Sequence, residues 1–225
     1  MSQAVIIGNG DFPKKAYPRE LIRQADIIVC CDRGFLSFLR HREGIFKDGK
    51  RLPDVVIGDM DSLPARIQKE YSSIMVHVTE QEENDQTKAI RHILANFKDV
   101  DTIHIIGGTG KRECHTIGNI SLLMEYARLF GACGDPEEGC VYIDLVSDYT
   151  TSFAITDSCE LMVGEGRAIS IFTPDNSLQI KSEGLVWPTD GVHFDNWWKA
   201  TLNKAGADTV KLTLSHKSIA LVMLD

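Results

Sequence analysis

The sequence predicts an α/β domain with a parallel sheet, followed by a smaller all-β domain. Three observations carry that prediction. The first ~150 residues alternate short apolar runs with helical periodicities, the pattern of βαβ units. Runs such as "DIIVCC" and "TIHIIG" are nearly continuous in apolar residues, as strands are when helices cover both faces of their sheet. After Ser152 the helix-length patterns stop. Short apolar runs separated by Gly, Asp, Asn and Ser take their place, which suits a small sandwich or barrel. The boundary is placed near residue 150, giving domains 1–150 and 151–225.

The elements follow in order. "AVIIG" is a strand that ends in Gly8-Asn9-Gly10, and "YPRELIRQA" is a helix opened by Pro18. "DIIVCCD" is a strand, "FLSFLR" a helix and "GIFKDGKRLP" a polar loop. "DVVIG" is a strand, "LPARIQKEY" a helix and "IMVHV" a strand. From Asp85, apolar residues at 89, 90, 93, 94 and 97 make a 3.6-residue stripe. "TIHIIGG" is the next strand, and the helix after it carries Ile120, Leu123, Met124, Ala127 and Phe130 on one face. "VYIDLVS" closes the series. In the second half "CELMVG", "AISIFT", "LQIKSEG", "GVHFD", "TVKLTLSH" and "SIALVML" read as strands.

Twenty-four basic and 32 acidic residues give a net charge of -8, whereas a nucleic-acid surface needs a basic patch or stripe. A small anion is compatible with an acidic chain, because backbone N–H groups and a metal hold phosphates locally. No stretch reaches the ~18 apolar residues of a membrane helix. The N-terminus "MSQAVIIGNG" lacks the charged and apolar regions of a signal peptide. The expectation is a cytoplasmic protein with reduced cysteines, mostly core packing, although Cys133 and Cys140 flank a loop that would let them pair.

In open α/β sheets ligands bind at the carboxyl ends of the strands. Asp32, Asp59, Asp61, Gly107 and Gly108 all fall there, with Asn9 and Asp11 at the end of the first strand. Asp59 and Asp61 follow Gly58, where a turn would let both face one ion. Magnesium takes one or two carboxylates together with phosphate and water oxygens. Asp85 opens a helix, where an acid also serves as a cap. In "GGTGKRECHTIGN" a glycine-rich strand-to-helix turn offers backbone N–H groups to an anion. Arg112 would add bidentate phosphate contacts, and His115 is a base, a ligand or an orienting group. Trp187, Trp197 and Trp198 are either core residues or stacking surfaces for a flat cationic ligand.

Taken in order, these stretches resemble the thiamine pyrophosphokinase family. "CDRG" is similar to its CADGG segment, "PDVVIGDMDSL" to PD-x-x-x-GD-x-DS, and "NDQTKAI" to TD-x-TKAL. "GGTGKRECHTIGNI" resembles G-x-x-GGR-x-DH-x-x-x-N, "GLVW" resembles GLKW, and "KATLN" echoes STSN. The resemblance implies an N-terminal Rossmann-like, three-layer α/β domain that binds ATP and Mg2+. It implies a C-terminal β-sandwich for thiamine, and a homodimer with active sites between subunits. The implied reaction moves pyrophosphate from ATP to the thiamine hydroxyl, leaving AMP. Asp59, Asp61 and Asp85 would hold the metal and, with Arg112, be catalytic. Asp32, Gly107, Gly108, Gly110, Arg112, His115 and Asn119 would line the nucleotide site, and Trp187, Thr201 and Asn203 the thiamine site. Arg33, Cys114, Ala200 and Leu202 depart from the family pattern. They leave open a weakly catalytic nucleotide- or thiamine-binding protein, or a pyrophosphokinase for a thiamine-like alcohol.

Overall fold

The computed structural model describes residues 2–132 and 140–225. Cys133, and with it any pairing to Cys140, lies outside the described residues. The chain divides into two compact units, residues 1–120 with 145–148, and residues 121–144 with 149–225.

The first unit is built on five parallel strands. They are β1 (Ser2–Ile7), β2 (Ile27–Cys31), β3 (Val55–Gly58), β4 (Met75–His77) and β5 (Val100–Ile106), in the order β5-β1-β2-β3-β4. The helices are α1 (Ala16–Gln24), α2 (Gly34–His41), α3 (Ala65–Glu70), α4 (Asp85–Asn96) and the start of α5 (Glu113–Phe130). Val5, Ile7, Ile28 and Cys30 share one buried cluster with Leu21 and Ile22 of α1 and Phe35 and Phe38 of α2. α4 packs on β1, β2, β3 and β5 through its buried stripe Ala89, Ile90 and Ile93. Side chains alternate across a strand, so Ala4, Ile6, Val29 and Cys31, equally buried, need a second apolar cover, and α4 supplies it. Both faces are thus covered, which is why these strands are apolar throughout.

The second unit is antiparallel. One sheet runs β7 (Thr151–Ile155), β13 (Ala220–Leu224), β9 (Ala168–Phe172), β11 (Asn203–Lys204). The other runs β10 (Ile180–Glu183), β12 (Thr209–Leu214), β8 (Cys159–Met162). Ile169, Ile171 and Val222 of the first sheet share a core with Ile180, Val210 and Leu212 of the second, so the two sheets form a sandwich. Between the units' residues in the chain, β6 (Tyr142–Val146) is divided: Leu145 and Val146 count with the first unit and Tyr142–Asp144 with the second.

One expected strand is absent. "GVHFD" forms no ladder: Val192 N–H bonds Thr189 O at 2.9 Å, closing a turn. Thr189 is itself held to β10: its N–H donates to Ser182 Oγ at 2.9 Å and its hydroxyl donates to Ile180 O at 2.7 Å. Phe194 still reaches the core. The apolar alternation marked core contact, not extended backbone. Conversely, β7 and the two-residue β11 were not expected.

Candidate active site

The chain enters the first sheet at β1, fills β2, β3 and β4 to one side, and returns on the other side with β5. That reversal is a topological switch point, where open α/β sheets form ligand crevices. A cavity of about 580 Å³ lies there. Its lining comes from the residues after β1, β2, β3 and β5, from 81–86 and Lys88, and from the start of α5.

The loops after β1 and β5 are laced together by their backbones. Gly8 N donates to Ile106 O at 2.8 Å, Gly10 N to Gly107 O at 2.6 Å, and Asp11 N to Thr109 O at 2.8 Å. A Cβ on Gly10 would stand 2.1 Å from Thr109 O, so only glycine permits this approach. Asn119 Nδ2 donates to Gly108 O at 2.7 Å, and Asn119 Oδ1 accepts from Asn84 Nδ2 at 3.1 Å. Asn84 in turn caps α4, accepting from Thr87 N at 3.0 Å. The side chain of Asn119 therefore braces the glycine turn against α4.

Asp32 follows β2 with φ of 39°, a left-handed backbone for a non-glycine residue. Its Oδ2 accepts from Ser62 Oγ, and its Oδ1 is buried with no hydrogen-bond partner. A Cβ on Gly58 would lie 3.1 Å from Asp32 Cβ and 3.5 Å from Asp85 Cγ. β3 ends in glycine because two carboxylates crowd over it. Asp59 accepts from Asp61 N at 3.1 Å and from Gln81 Nε2 at 3.4 Å. Burial pushes the Asp85 carboxyl above its ordinary range; Lys88 pulls it back, and Asp32 and Asp59 add to the rise. Asp61 is exposed and is not among the lining residues.

On the β5 side the lining carries cations. Lys111 Nζ donates to Asn9 Oδ1 at 3.0 Å, and Arg112 and His115 face the cavity at the start of α5. Gly107 and Gly108 line it as well, whereas Gly110 packs against the Asp11 side chain instead. Among the described residues no three or more His, Cys, Asp or Glu side chains group closely enough to hold a metal unaided. The donors nevertheless suit a hard cation completed by phosphate oxygens. They are all oxygens, one is buried and unpartnered, and burial, with a smaller push from Asp32 and Asp59, raises Asp85.

Trp187, Thr201 and Asn203 belong to the second unit. Trp187 is 59% exposed, as are Trp198 (68%) and Leu202 (70%), which has φ of 54°. Asn203 is buried and its amide is consumed locally. Nδ2 donates to Trp187 O at 2.6 Å, while Oδ1 accepts from Lys204 N at 2.8 Å and Trp187 N at 3.3 Å. Thr201 Oγ1 donates to Trp198 O at 2.8 Å.

Sequence reasoning passed over Gln81, Asn84 and Lys88, all in the lining, and placed Lys111 in the glycine-rich turn without assigning it a site role. Lys88 left a signal, a lysine three residues after Asp85 and inside the buried part of the α4 stripe.

Two family models match the chain: "Thiamin pyrophosphokinase, catalytic domain" over residues 18–130, and "Thiamin pyrophosphokinase, substrate-binding domain" over 151–221. No curated protein is significantly similar in sequence. Among solved structures the chain is similar to a thiamine pyrophosphokinase from Bacillus subtilis, with 18% identity and a TM-score of 0.75 over 100% of this chain and 99% of that one. A thiamin pyrophosphokinase family protein from Enterococcus faecalis gives 15% identity and a TM-score of 0.76, covering 100% and 99%. The yeast thiamin pyrophosphokinase gives 16% and 0.71, covering 100% and 86%.

Proposed function

The chain belongs to the thiamin pyrophosphokinase family, and from that premise we propose how its cavity carries out the family's reaction. The chain is an enzyme, a thiamine diphosphokinase: it moves a pyrophosphoryl group from ATP to the hydroxyl of thiamine and releases AMP. The observation that carries the assignment of roles is the polarity of the cavity. Carboxylates come from the ends of β2 and β3 and the start of α4, and Lys111, Arg112 and glycine N–H groups from the loop after β5, which β1 separates from β2 and β3 in the sheet. A polyphosphate chain with its cation fits between such groups.

Phosphoryl-type transfer asks a protein mainly for positioning and for stabilising charge. Asp59 and Asp85 would hold Mg2+ together with phosphate oxygens, and Asp32, with its unpartnered oxygen, lies beside Asp85 over Gly58. Asp61 acts through its N–H, which steadies Asp59. The metal, when bound, neutralises phosphate charge and aligns the transferring group. Arg112 donates to phosphate oxygens on the β5 side, together with Gly107, Gly108 and the first turn of α5, whose free N–H groups favour an anion. His115 and Asn119 line the same side, Asn119 by bracing the turn. Asp85, half-buried at the start of α4 in the cavity lining, is the group that orients the attacking hydroxyl or accepts its proton.

We further propose that residues 1–150 do the chemistry and 151–225 bind thiamine, with Trp187 as a stacking surface, Thr201 beside it and Asn203 holding its backbone. The protein works as a cytoplasmic homodimer with active sites between subunits. The exposed Trp187, Trp197, Trp198 and Leu202 support a surface made to be covered. Its partners are thiamine and ATP, without nucleic acid or membrane. The net charge of -8 supports the first exclusion. Among the described residues no helix is long and apolar enough to cross a bilayer.

The test is to incubate the protein with ATP, Mg2+ and thiamine and resolve the products. One AMP per thiamine diphosphate is expected. AMP formed only with a different alcohol would replace the acceptor, and no AMP with any acceptor would overturn the reading.

A further inference from the structure

We propose that Lys88 is a positioning residue: its buried ammonium ties the irregular segment 78–84, one wall of the cavity, to α4 beside Asp85. Lysines are almost never fully buried unless paired, and the Lys88 side chain is only 5% exposed. Its Nζ donates to Val78 O at 3.4 Å and to Glu80 O, and stands 3.8 Å from Asp85 Oδ1. An ammonium has three N–H donors. Two are directed at carbonyls of the segment, and Asp85 lies close enough for charge attraction but not for a hydrogen bond.

Its C-terminal end is fixed by Asn84, which accepts from Thr87 N and donates to Asn119 Oδ1; residues 79–83 ahead of it have fewer ties. Val78 N bonds Gly58 O at 2.8 Å, where β4 ends. The Glu80 carboxylate folds back onto Glu82 N and, at 3.0 Å, Glu83 N. At the far end Arg91 of α4 pairs with Glu83 at 2.7 Å, but that pair is exposed and such pairs hold weakly. Gln81, Glu82 and Glu83 all line the cavity, and Gln81 reaches Asp59. Lys88 is thus the buried tie between this wall and the helix that presents Asp85. It also places a positive charge beside Asp85.

The activity arm of the test rests on the pyrophosphoryl-transfer reading; the exchange arm does not. Amide hydrogen exchange of the full chain, without nucleotide, is compared for wild type, Lys88→Met and Lys88→Arg. In Lys88→Met the amides of 79–83 are expected to exchange about tenfold faster or more, with β1 and β5 unchanged. kcat falls about tenfold or more with the thiamine KM within about twofold, and Lys88→Arg restores both protection and most of kcat. If Lys88→Met does not fold, Lys88→Gln is read in its place. Unchanged protection of 79–83, or exchange that rises equally in the strands, overturns the proposal even if the enzyme turns over normally. A wild type that makes no thiamine diphosphate overturns the transfer reading, and the exchange result still decides the role of Lys88.

Discussion

The rim of the parallel sheet and the stretch from Gly184 to Asn203 hold irregular backbone in opposite ways. At the rim, backbone bonds backbone: N–H groups of the loop after β1 donate directly to carbonyls at the end of β5 and in its loop, so close that side chains are excluded. In the second stretch, side chains stand in for the missing ladder. Thr189 and Asn203 reach main-chain groups of their neighbours, and large apolar side chains are left in solvent. The first arrangement fixes atoms to fractions of an ångström, as charge stabilisation at a reacting phosphate requires. The second fixes a backbone while leaving its aromatic faces free, which suits a surface completed by something else. The two regions should therefore fail differently when mutated.

The largest expected effect lies at the acidic end of the rim. Asp59→Asn keeps the shape and can still accept from Asp61 N–H, but it loses a charge that holds the cation. AMP release with thiamine should fall on the order of a hundredfold or more, with an unchanged far-UV spectrum; unchanged turnover would remove Asp59 from the metal site. Next comes Gly10→Ala. A methyl 2.1 Å from Thr109 O forces the two loops apart, which should cost roughly 1–3 kcal/mol, or a melting temperature lower by several degrees. The matching change in the other region, Gly191→Ala, meets nothing within 4 Å and should stay within about 0.5 kcal/mol of wild type. Equal effects at the two glycines would erase the contrast.

How far each region was legible follows from the same physics. Strands buried on both faces announce themselves as apolar runs, so β1, β2, β3 and β5 and the acids at their ends were readable. β7 was missed because it begins just at the boundary placed near residue 150, and its Ser152, though polar, is buried. Gly191–Asp195 was misread because Phe194 points inward from a turn. That Asp32 and Asp85 share a place over Gly58, while Asp61 turns outward, depends on backbone angles such as φ of 39° at Asp32 and 62° at Met60. Residue identity does not dictate those angles. Lys88 bonds carbonyls eight and ten residues upstream, a geometry that no periodicity encodes.

A smaller effect sharpens the second region. Asn203→Ala leaves Trp187 N–H and C=O without their side-chain partner in a partly buried place. Loss of such bonds costs roughly 1–3 kcal/mol. If Asn203 works by holding Trp187 in place, the thiamine KM should rise and kcat should change little. A fall in kcat at unchanged KM would instead put Asn203 among groups felt only in the transition state.

The smallest effect separates stability from activity at one residue. Asp85 has a folded-state pKa raised above 3.8, chiefly by burial and secondarily by Asp32 and Asp59 against the pull of Lys88. A raised carboxyl binds its proton more tightly folded than unfolded. It therefore leaves stability untouched below the unfolded value and diminishes it as pH climbs through the window up to the raised value. With Mg2+ and nucleotide withheld, Asp85→Asn should melt slightly above wild type at neutral pH, and the gain should vanish as the pH falls below about 3.8. The same variant should lose AMP release. Melting curves taken across that range decide the point: a gain that persists in acid would mean that the asparagine packs better, and that the cost of a buried charge at Asp85 is not what it relieves.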